Sequence, residues 1–430
     1  MQNFVKKILF ISPFIPYPLN SGGNQAVFSM IDYLRKIHSV SILIRAGHQK
    51  DIDALKRVWP DVGFFIYSKK EGKRKSWLPL RAHVLHCLSS SFTRKYNRIF
   101  FKYWPSRPNV DKMLRIRTLI NLRPSELDPG YCEFVHNVAE SGFDIIQTEF
   151  RELLDMCYFL PENAVKVYVQ HEIDYIRRGN ELAMLQSPTL MDIARYQQAK
   201  DKEISMLSRY DYIITLTATD KNILSKYIPE EKIYVSPAVI KMDRLVPFKT
   251  CTPEFVFVGG SDHFPNYDGV NWFCECILPV LKENLSDFKI YIIGNWSRKA
   301  KRTIHKHNKE VEFMGFVEDL HTFLNGKITI VPIRIGSGMR MKILDAVWSS
   351  SPFITTSKGV EGQDFTNGID CIIADSPQEF GKAMVMLSSD TVLQKSLSEN
   401  AVIKVKKYYN PEAMMKIRAD FYDKFTANIM

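Results

Sequence analysis

Short, nearly continuous apolar runs recur along the chain, separated by longer stretches whose apolar residues fall at helical spacing. The runs Lys7–Ser12, Val40–Ile44, Gly63–Tyr67, Asp144–Gln147, Val165–Val169, Tyr212–Leu216 and Lys232–Val235 predict a first set of strands. After a break the pattern restarts with Glu254–Val258, Lys289–Ile293, Glu312–Met314, Ile328–Val331, Phe353–Thr355 and Cys371–Ala374. Strands that are apolar at successive positions rather than alternate ones are covered on both faces, which parallel sheets with helical crossovers provide. The pattern therefore predicts an α/β chain of two doubly wound parallel sheets.

The break falls in SPAVIKMDRLVPFKTCTPEF, a polar, proline-bearing stretch near 236–254. Domains are expected over 1–240 and 250–408, with a last segment, 410–430, in which Asn410 caps a helix and Pro411 is its first residue. A chain of 430 residues with 45% hydrophobic content can supply two cores. Two such sheets, joined once, leave a cleft at the carboxyl ends of their strands, where ligands of these sheets bind.

Four stretches are expected to line that cleft. PYPLNSGGNQAVFSMI places Gly22 and Gly23 between the first strand and its helix, where backbone N–H groups can approach an anion or a sugar. The GxGxxG spacing of dinucleotide binding is absent there. VYVQHEIDYIRR puts His171 directly after an apolar run, as a structural residue or as a functional one at a strand's carboxyl end. FVGGSDHFPNYDGVNWF ends a strand on Gly259 and Gly260, which either admit a phosphate or close a turn; Pro265 and Asn266 are expected just before a helix bearing Val270, Phe273 and Ile277.

The fourth stretch is the most specific. ITIVPIRIGSGMRMKILDAV runs from a buried strand through Gly336 and Gly338 into a helix carrying Arg340, Lys342 and Asp345. Helix-start N–H groups with Arg340 and Lys342 suit a diphosphate. Asp345, about one turn further on, would repel phosphate and suits ribose hydroxyls instead. The combination reads as a cradle for a nucleoside diphosphate.

Composition changes the picture in one place. The chain carries a net +11, and residues 69–118 alone hold 14 Lys and Arg against Glu71 and Asp111, a net +12. Among these residues are Lys73, Arg74, Lys75, Trp77, Arg94, Lys95, Arg98 and Trp104, cations beside rings, as a bilayer interface favours. A solvated basic insertion and a nucleic-acid surface are the other readings, although no recognised nucleic-acid module accompanies it. No apolar run reaches the roughly 18 residues of a membrane span. The seven scattered cysteines suggest reduced thiols in a cytoplasmic protein. KKILFISPFIPYPL mimics a signal peptide, but Pro13 and Pro16 interrupt it and no small-residue cleavage site follows.

The order of motifs resembles the GT-B glycosyltransferases of family 4, the glycosyltransferase group 1 type. The matching segments are PYPLNSGGNQ, FVGG…HFPNYDGVNWF, IYIIG, VEFMGFVEDL and VPIRIGSGMRMKILDAVWSSSPFITTSKGVEG. The resemblance implies two Rossmann-like domains facing across a cleft, the C-terminal one holding a nucleotide sugar, and a last helix that crosses back onto the N-terminal domain. It implies transfer to a sugar or lipid-linked acceptor with retention of configuration and without a metal, the nucleotide sugar being a co-substrate and no cofactor being needed. A bacterial-type role in polysaccharide or glycolipid assembly follows, at the cytoplasmic side of a membrane or in the cytoplasm, without nucleic acid as partner.

By the same resemblance, Gly23 and Gly260 lie near the donor and Gly22 and Asn24 on the acceptor side. His171 is near the transferred sugar, and Phe316 and Val317 are beside the base. Ser337, Gly338 and Met339 face sugar and phosphates, and Arg340 and Lys342 counter the diphosphate. The family's Glu-x7-Glu pattern falls here on Ser337 and the shorter Asp345. Alternative readings are a nucleotide-sugar 2-epimerase of the same architecture, or a catalytically inactive membrane-associated scaffold.

Overall fold

The computed structural model describes residues 5–19, 21–45, 47–68, 128–240, 245–305 and 308–427. The basic window 69–118, with all of its expected membrane-facing residues, lies outside them. Among the described residues, thirteen strands are present at or near the runs read from the sequence, in two sheets. The first takes the order β3-β2-β1-β4-β5-β6-β7, from β1 (Lys7–Ser12), β2 (Ser39–Arg45), β3 (Gly63–Tyr67), β4 (Ile145–Glu149), β5 (Val165–Gln170), β6 (Tyr212–Thr215) and β7 (Ile233–Val235). The second runs β10-β9-β8-β11-β12-β13, from β8 (Glu254–Val258), β9 (Lys289–Ile293), β10 (Val311–Gly315), β11 (Ile328–Val331), β12 (Phe353–Thr355) and β13 (Ile372–Ile373).

Every pairing described within the two sheets is parallel. Five of the six residues of β1 are buried, as are all of β4 and β11; β1 and β11 accordingly read as nearly continuous apolar stretches, whereas β4 buries Gln147, Thr148 and Glu149. Strand order reverses between β1 and β4 in one sheet and between β8 and β11 in the other, and the crevices beside these switch points hold the loops that matter. β4 ends two residues later than the apolar run suggests, which carries Glu149 onto the strand's last position. The helix over Phe264–Trp272 likewise starts before Pro265, with a π-helical turn following at Phe273–Ile277.

The last helix, Pro411–Asp423, is capped by the Asn410 side chain and packs against the first sheet. Buried Arg418 donates from Nε to the Ser236 hydroxyl at 2.7 Å and from Nη2 to the Ser236 carbonyl at 3.1 Å. Phe421 stacks on Tyr234 at 4.5 Å between ring centroids. The chain thus finishes its second sheet and then returns to the first.

Among the described residues the six free cysteines are buried except Cys276. None of the described helices is long and apolar enough to cross a membrane. Because the guanidinium of Arg418 is the polar anchor of the returning helix, Arg418→Ala should destabilise the chain by about 2–3 kcal/mol in urea unfolding, the scale of lost charge-assisted hydrogen bonds in a buried setting. An unchanged midpoint would show that the helix is held without Arg418.

Candidate functional site

Two loops, one from each sheet, meet at the crevice. After β11 the chain passes Gly336 (φ 108°) and Gly338 (φ 77°), backbone conformations that side chains rarely adopt. A Cβ at 338 would collide with the carbonyl of His171, which follows β5. The Ile173 N–H donates to the Ser337 hydroxyl at 2.7 Å, and the Gly336 N–H donates to Asn180 Oδ1 at 3.1 Å. These glycines are therefore required by close approach between the two halves, whatever else they do.

The other two stretches join the same place. A Cβ on Gly22 would lie 2.8 Å from Met341, and one on Gly23 would lie 3.1 Å from the ring of Phe150. Asn24 turns inward, donating from Nδ2 to the Pro18 carbonyl at 2.8 Å. Gly259 and Gly260 pack against Asn266 and the Asn295 backbone, so close packing already explains them. From the same loop, Asn266 Oδ1 accepts from Lys342 Nζ at 2.7 Å, and His263 Nε2 lies 3.3 Å from Glu172 Oε2.

The cations are unusual in their surroundings. Arg340 precedes the helix Met341–Trp348 and turns its Nη1 back onto the carbonyls of Ser337 and Gly338. Its Nε and Nη2 are shut off from water and, among the described residues, have no hydrogen-bond partner. Burial pulls the Arg340 pKa below its ordinary value, against the opposing charges of Glu172, Asp220 and Glu361. Burial, with Arg340 beside it, pushes Lys342 well below the usual lysine range. Two part-buried cations thus sit side by side in the crevice, Arg340 with donors that no side chain fills and Lys342 bonded to Asn266, an arrangement whose electrostatic demand an anion can satisfy.

Glu172 faces the same point. Its Oε1 is buried without a partner and would lie 2.7 Å from a Cβ on Gly336. Burial works to raise its pKa, but His263, Arg340 and Arg151 together hold it below the ordinary carboxylate value. On the helix Met341–Trp348, Asp345 is buried with Oδ1 3.4 Å from His321 Nε2. Met339 is buried, Val317 packs among Val256, Tyr291 and Leu324, and Phe316 is 64% exposed.

His171 is held on two sides. Its ring stacks on Phe150 at 4.0 Å and 8°, and its Nε2 lies 2.6 Å from Glu149 Oε2. Phe150 itself adopts φ 65°, a costly backbone state of order 1–3 kcal/mol that directs its ring between His171 and Phe14. Behind the loop, fully buried Glu203 accepts from Gln170 Nε2 at 2.7 Å and from the N–H groups of Asp174 and Tyr175 at 2.9 and 2.8 Å. Its burial raises its pKa to about 7.

The crevice therefore gathers Gly22, Gly23, His171, Ser337, Gly338, Met339, Arg340 and Lys342, as the sequence motifs suggest, and adds residues they do not reveal. Glu149 and Glu172 are adjacent to recognised features, at a strand end and beside His171. Glu203 lies mid-helix and His321 sits in a short helix, and neither carries a sequence signal; only tertiary contact identifies them.

Residues 252–390 match the family Glycosyl transferases group 1. Over 431 aligned residues, spanning 94% of this chain and 96% of the other, the chain is 28% identical to an uncharacterized 44.6 kDa protein in the cps region of Klebsiella pneumoniae. Among solved structures it resembles sucrose-phosphate synthase of Thermosynechococcus elongatus (TM-score 0.69, 13% identity, 98% and 99% of the two chains). It also resembles a TarM variant of S. aureus solved with fondaparinux, α-GlcNAc-glycerol and UDP (0.67, 11%, 98% and 100%). HepE of Anabaena, solved with UDP and glucose, is similar too (0.66, 10%, 97% and 100%). The solved structures give the fold, and the match at 252–390 gives the chemistry: this is a glycosyltransferase of the GT-B fold. Within that class it resembles the family 4 enzymes of group 1 type.

Gly338→Ala should impose both backbone strain and the clash with His171. We expect a loss of about 1–3 kcal/mol in denaturant unfolding together with a larger radius of gyration in solution scattering. A variant with unaltered stability and dimensions would mean that the loops do not meet in solution.

Proposed function

We propose that the chain transfers a sugar from a nucleoside-diphosphate donor to a hydroxyl acceptor, with retention of configuration and without a metal ion. The observation that carries this reading is Arg340, buried at the mouth of the helix Met341–Trp348 with two unpartnered donors and with Lys342 beside it. A diphosphate leaving there would find its growing negative charge met by fixed cations and backbone N–H groups, which lowers the barrier without reorganisation. In this reading the domain over 250–408 holds the donor, the domain over 1–240 presents the acceptor, and the segment 410–430 ties them together. That HepE and TarM were solved with UDP supports a nucleoside diphosphate at this position.

Roles follow from placement. Asp345, with His321 beside it, would take the ribose hydroxyls, and Phe316 and Val317 would flank the base. Gly23 and Gly260 would border the donor; Gly22 and Asn24 would border the acceptor. His171 would act on the transferred sugar. The carboxylate that the family's pattern puts at position 337 is a serine here, and Glu172 offers one from the opposite loop with a free, buried Oε1. Closure of the two halves would align the acceptor hydroxyl and exclude water.

The relative from a cps region supports a role in polysaccharide assembly in the cytoplasm, on a lipid-linked or free sugar acceptor. The basic and aromatic composition of 69–118 supports docking at an anionic membrane surface, each engaged cation contributing roughly 1 kcal/mol.

Incubation with a panel of nucleotide sugars should release a nucleoside diphosphate, and an acceptor lipid should accelerate it. Arg340→Ala and Lys342→Ala should each weaken UDP binding by about 1.5–3 kcal/mol in calorimetry. Unchanged affinity in both would remove the diphosphate from this crevice. In a separate measurement, neutralising Lys73, Arg74, Lys75, Arg94, Lys95 and Arg98 should abolish co-sedimentation with anionic vesicles. Equal partitioning of variant and wild type would leave 69–118 as a solvated insertion.

A further inference from the structure

Behind His171 runs a buried chain of side chains that the transfer reaction itself does not explain. Glu149, fully shut off from solvent at the end of β4, holds His171 Nε2 with one oxygen and accepts from Gln147 Nε2 with the other. Two residues earlier on the same strand and on the same face, Gln147 accepts at Oε1 from the hydroxyl of Tyr422. Tyr422 belongs to the helix Pro411–Asp423, the segment that returns from the second sheet. The route therefore spans Tyr422, Gln147, Glu149 and His171, joining the last helix of the chain to the crevice through the core of the first sheet.

We propose that Glu149 is a positioning residue that keeps the proton of His171 on Nε2, and that Tyr422 sets the orientation of Gln147 on which this depends. This rests on His171 acting on the transferred sugar. Each link has a fixed direction. Burial pushes the Tyr422 hydroxyl up to about 12, so it is a donor at any working pH. A donor there requires Gln147 to present its oxygen, which turns the amide NH2 towards Glu149. A carboxylate can only accept, so it receives from Gln147 on one oxygen and from the imidazole on the other. With Nε2 carrying the proton, a neutral ring leaves Nδ1 with a lone pair, and among the described residues Nδ1 makes no hydrogen bond. Phe150 fixes the plane of the ring and Glu149 fixes its rotation, so that the acceptor nitrogen has one direction.

The reverse orientation of Gln147 would aim its carbonyl oxygen at a buried carboxylate, an arrangement of two acceptors with no proton between them. Glu149 disfavours it from one end, and the hydroxyl of Tyr422, which donates to Oε1, disfavours it from the other. The returning helix is thus more than a strap around the first sheet, because removal of one oxygen from it loosens an amide two steps from the crevice.

The test uses the full-length protein with its histidine rings labelled with nitrogen-15, the His171 signals being assigned by their absence in His171→Ala. At a pH where the ring is neutral, wild type should show the Nε2–H tautomer. Glu149→Gln should shift it towards Nδ1–H, and Tyr422→Phe should do so partially. With the donor found active in the panel, kcat should fall about 10–100-fold in Glu149→Gln, as for loss of an orienting partner of a functional histidine, while calorimetric UDP affinity stays unchanged. An Nδ1–H ring in wild type, or the wild-type tautomer retained in both variants, overturns the proposal. Tyr422→Phe, a buried change of one atom, keeps the question answerable should Glu149→Gln fail to fold. Full turnover in His171→Ala would instead overturn the role of His171, and the tautomer measurement would still judge the wiring.

Discussion

The crevice exists because two loops on different sheets can touch backbone to backbone. At Gly338 a left-handed backbone with no Cβ lets the loop after β11 lie against the carbonyl of His171, and the contact is then fixed by Ile173 to Ser337 and Asn180 to Gly336. Any side chain at 338 would hold the halves apart by at least its own width. Without the contact, Glu172 would lose its neighbours His263 and Arg340, and Met341 would leave Gly22. The site is therefore a property of the pair of sheets, and neither sheet carries it alone.

That approach has an electrostatic consequence. Bringing the loops together takes water from the guanidinium of Arg340 and the ammonium of Lys342, and that desolvation is only partly offset by the carboxylates of Glu172, Asp220 and Glu361 for Arg340 and of Asp345 for Lys342. A crevice that holds two cations at this expense, one with vacant donors, is what the proposed diphosphate site requires. The same low polarity strengthens each contact that the anion makes. Burial and affinity are thus two aspects of one arrangement.

The fold was legible because parallel strands covered on both faces write themselves as continuous apolar runs, and thirteen such runs were present. Boundaries slipped where the last strand residues are polar, as at Glu149, whose burial depends on partners and not on its own hydropathy. The helix mouth at 334–347 was legible because its glycines and charges lie a few residues apart in the sequence. What could not be read are pairings across the chain. Lys342 meets Asn266 across 76 positions, Ser337 meets Ile173 across 164, and Tyr422 meets Gln147 across 275. No local pattern encodes such meetings; they follow only once both sheets are in place. The glycine pair at 259–260 shows the converse, since a motif that suggests a phosphate is accounted for by packing against Asn266 and Asn295.

The substitution of serine at 337 fits this geometry. Its hydroxyl is occupied by the Ile173 N–H, and the residue is almost fully buried between the loops. A glutamate there would need either to leave that contact or to bury a charge beside the carboxylate of Glu172, and two carboxylates at such range repel. With the small residue on one loop and Glu172 on the other, the crevice keeps one acidic group and loses none of its close packing. The loop after β5 thus carries the carboxylate and the loop after β11 the small residue that lets the two meet.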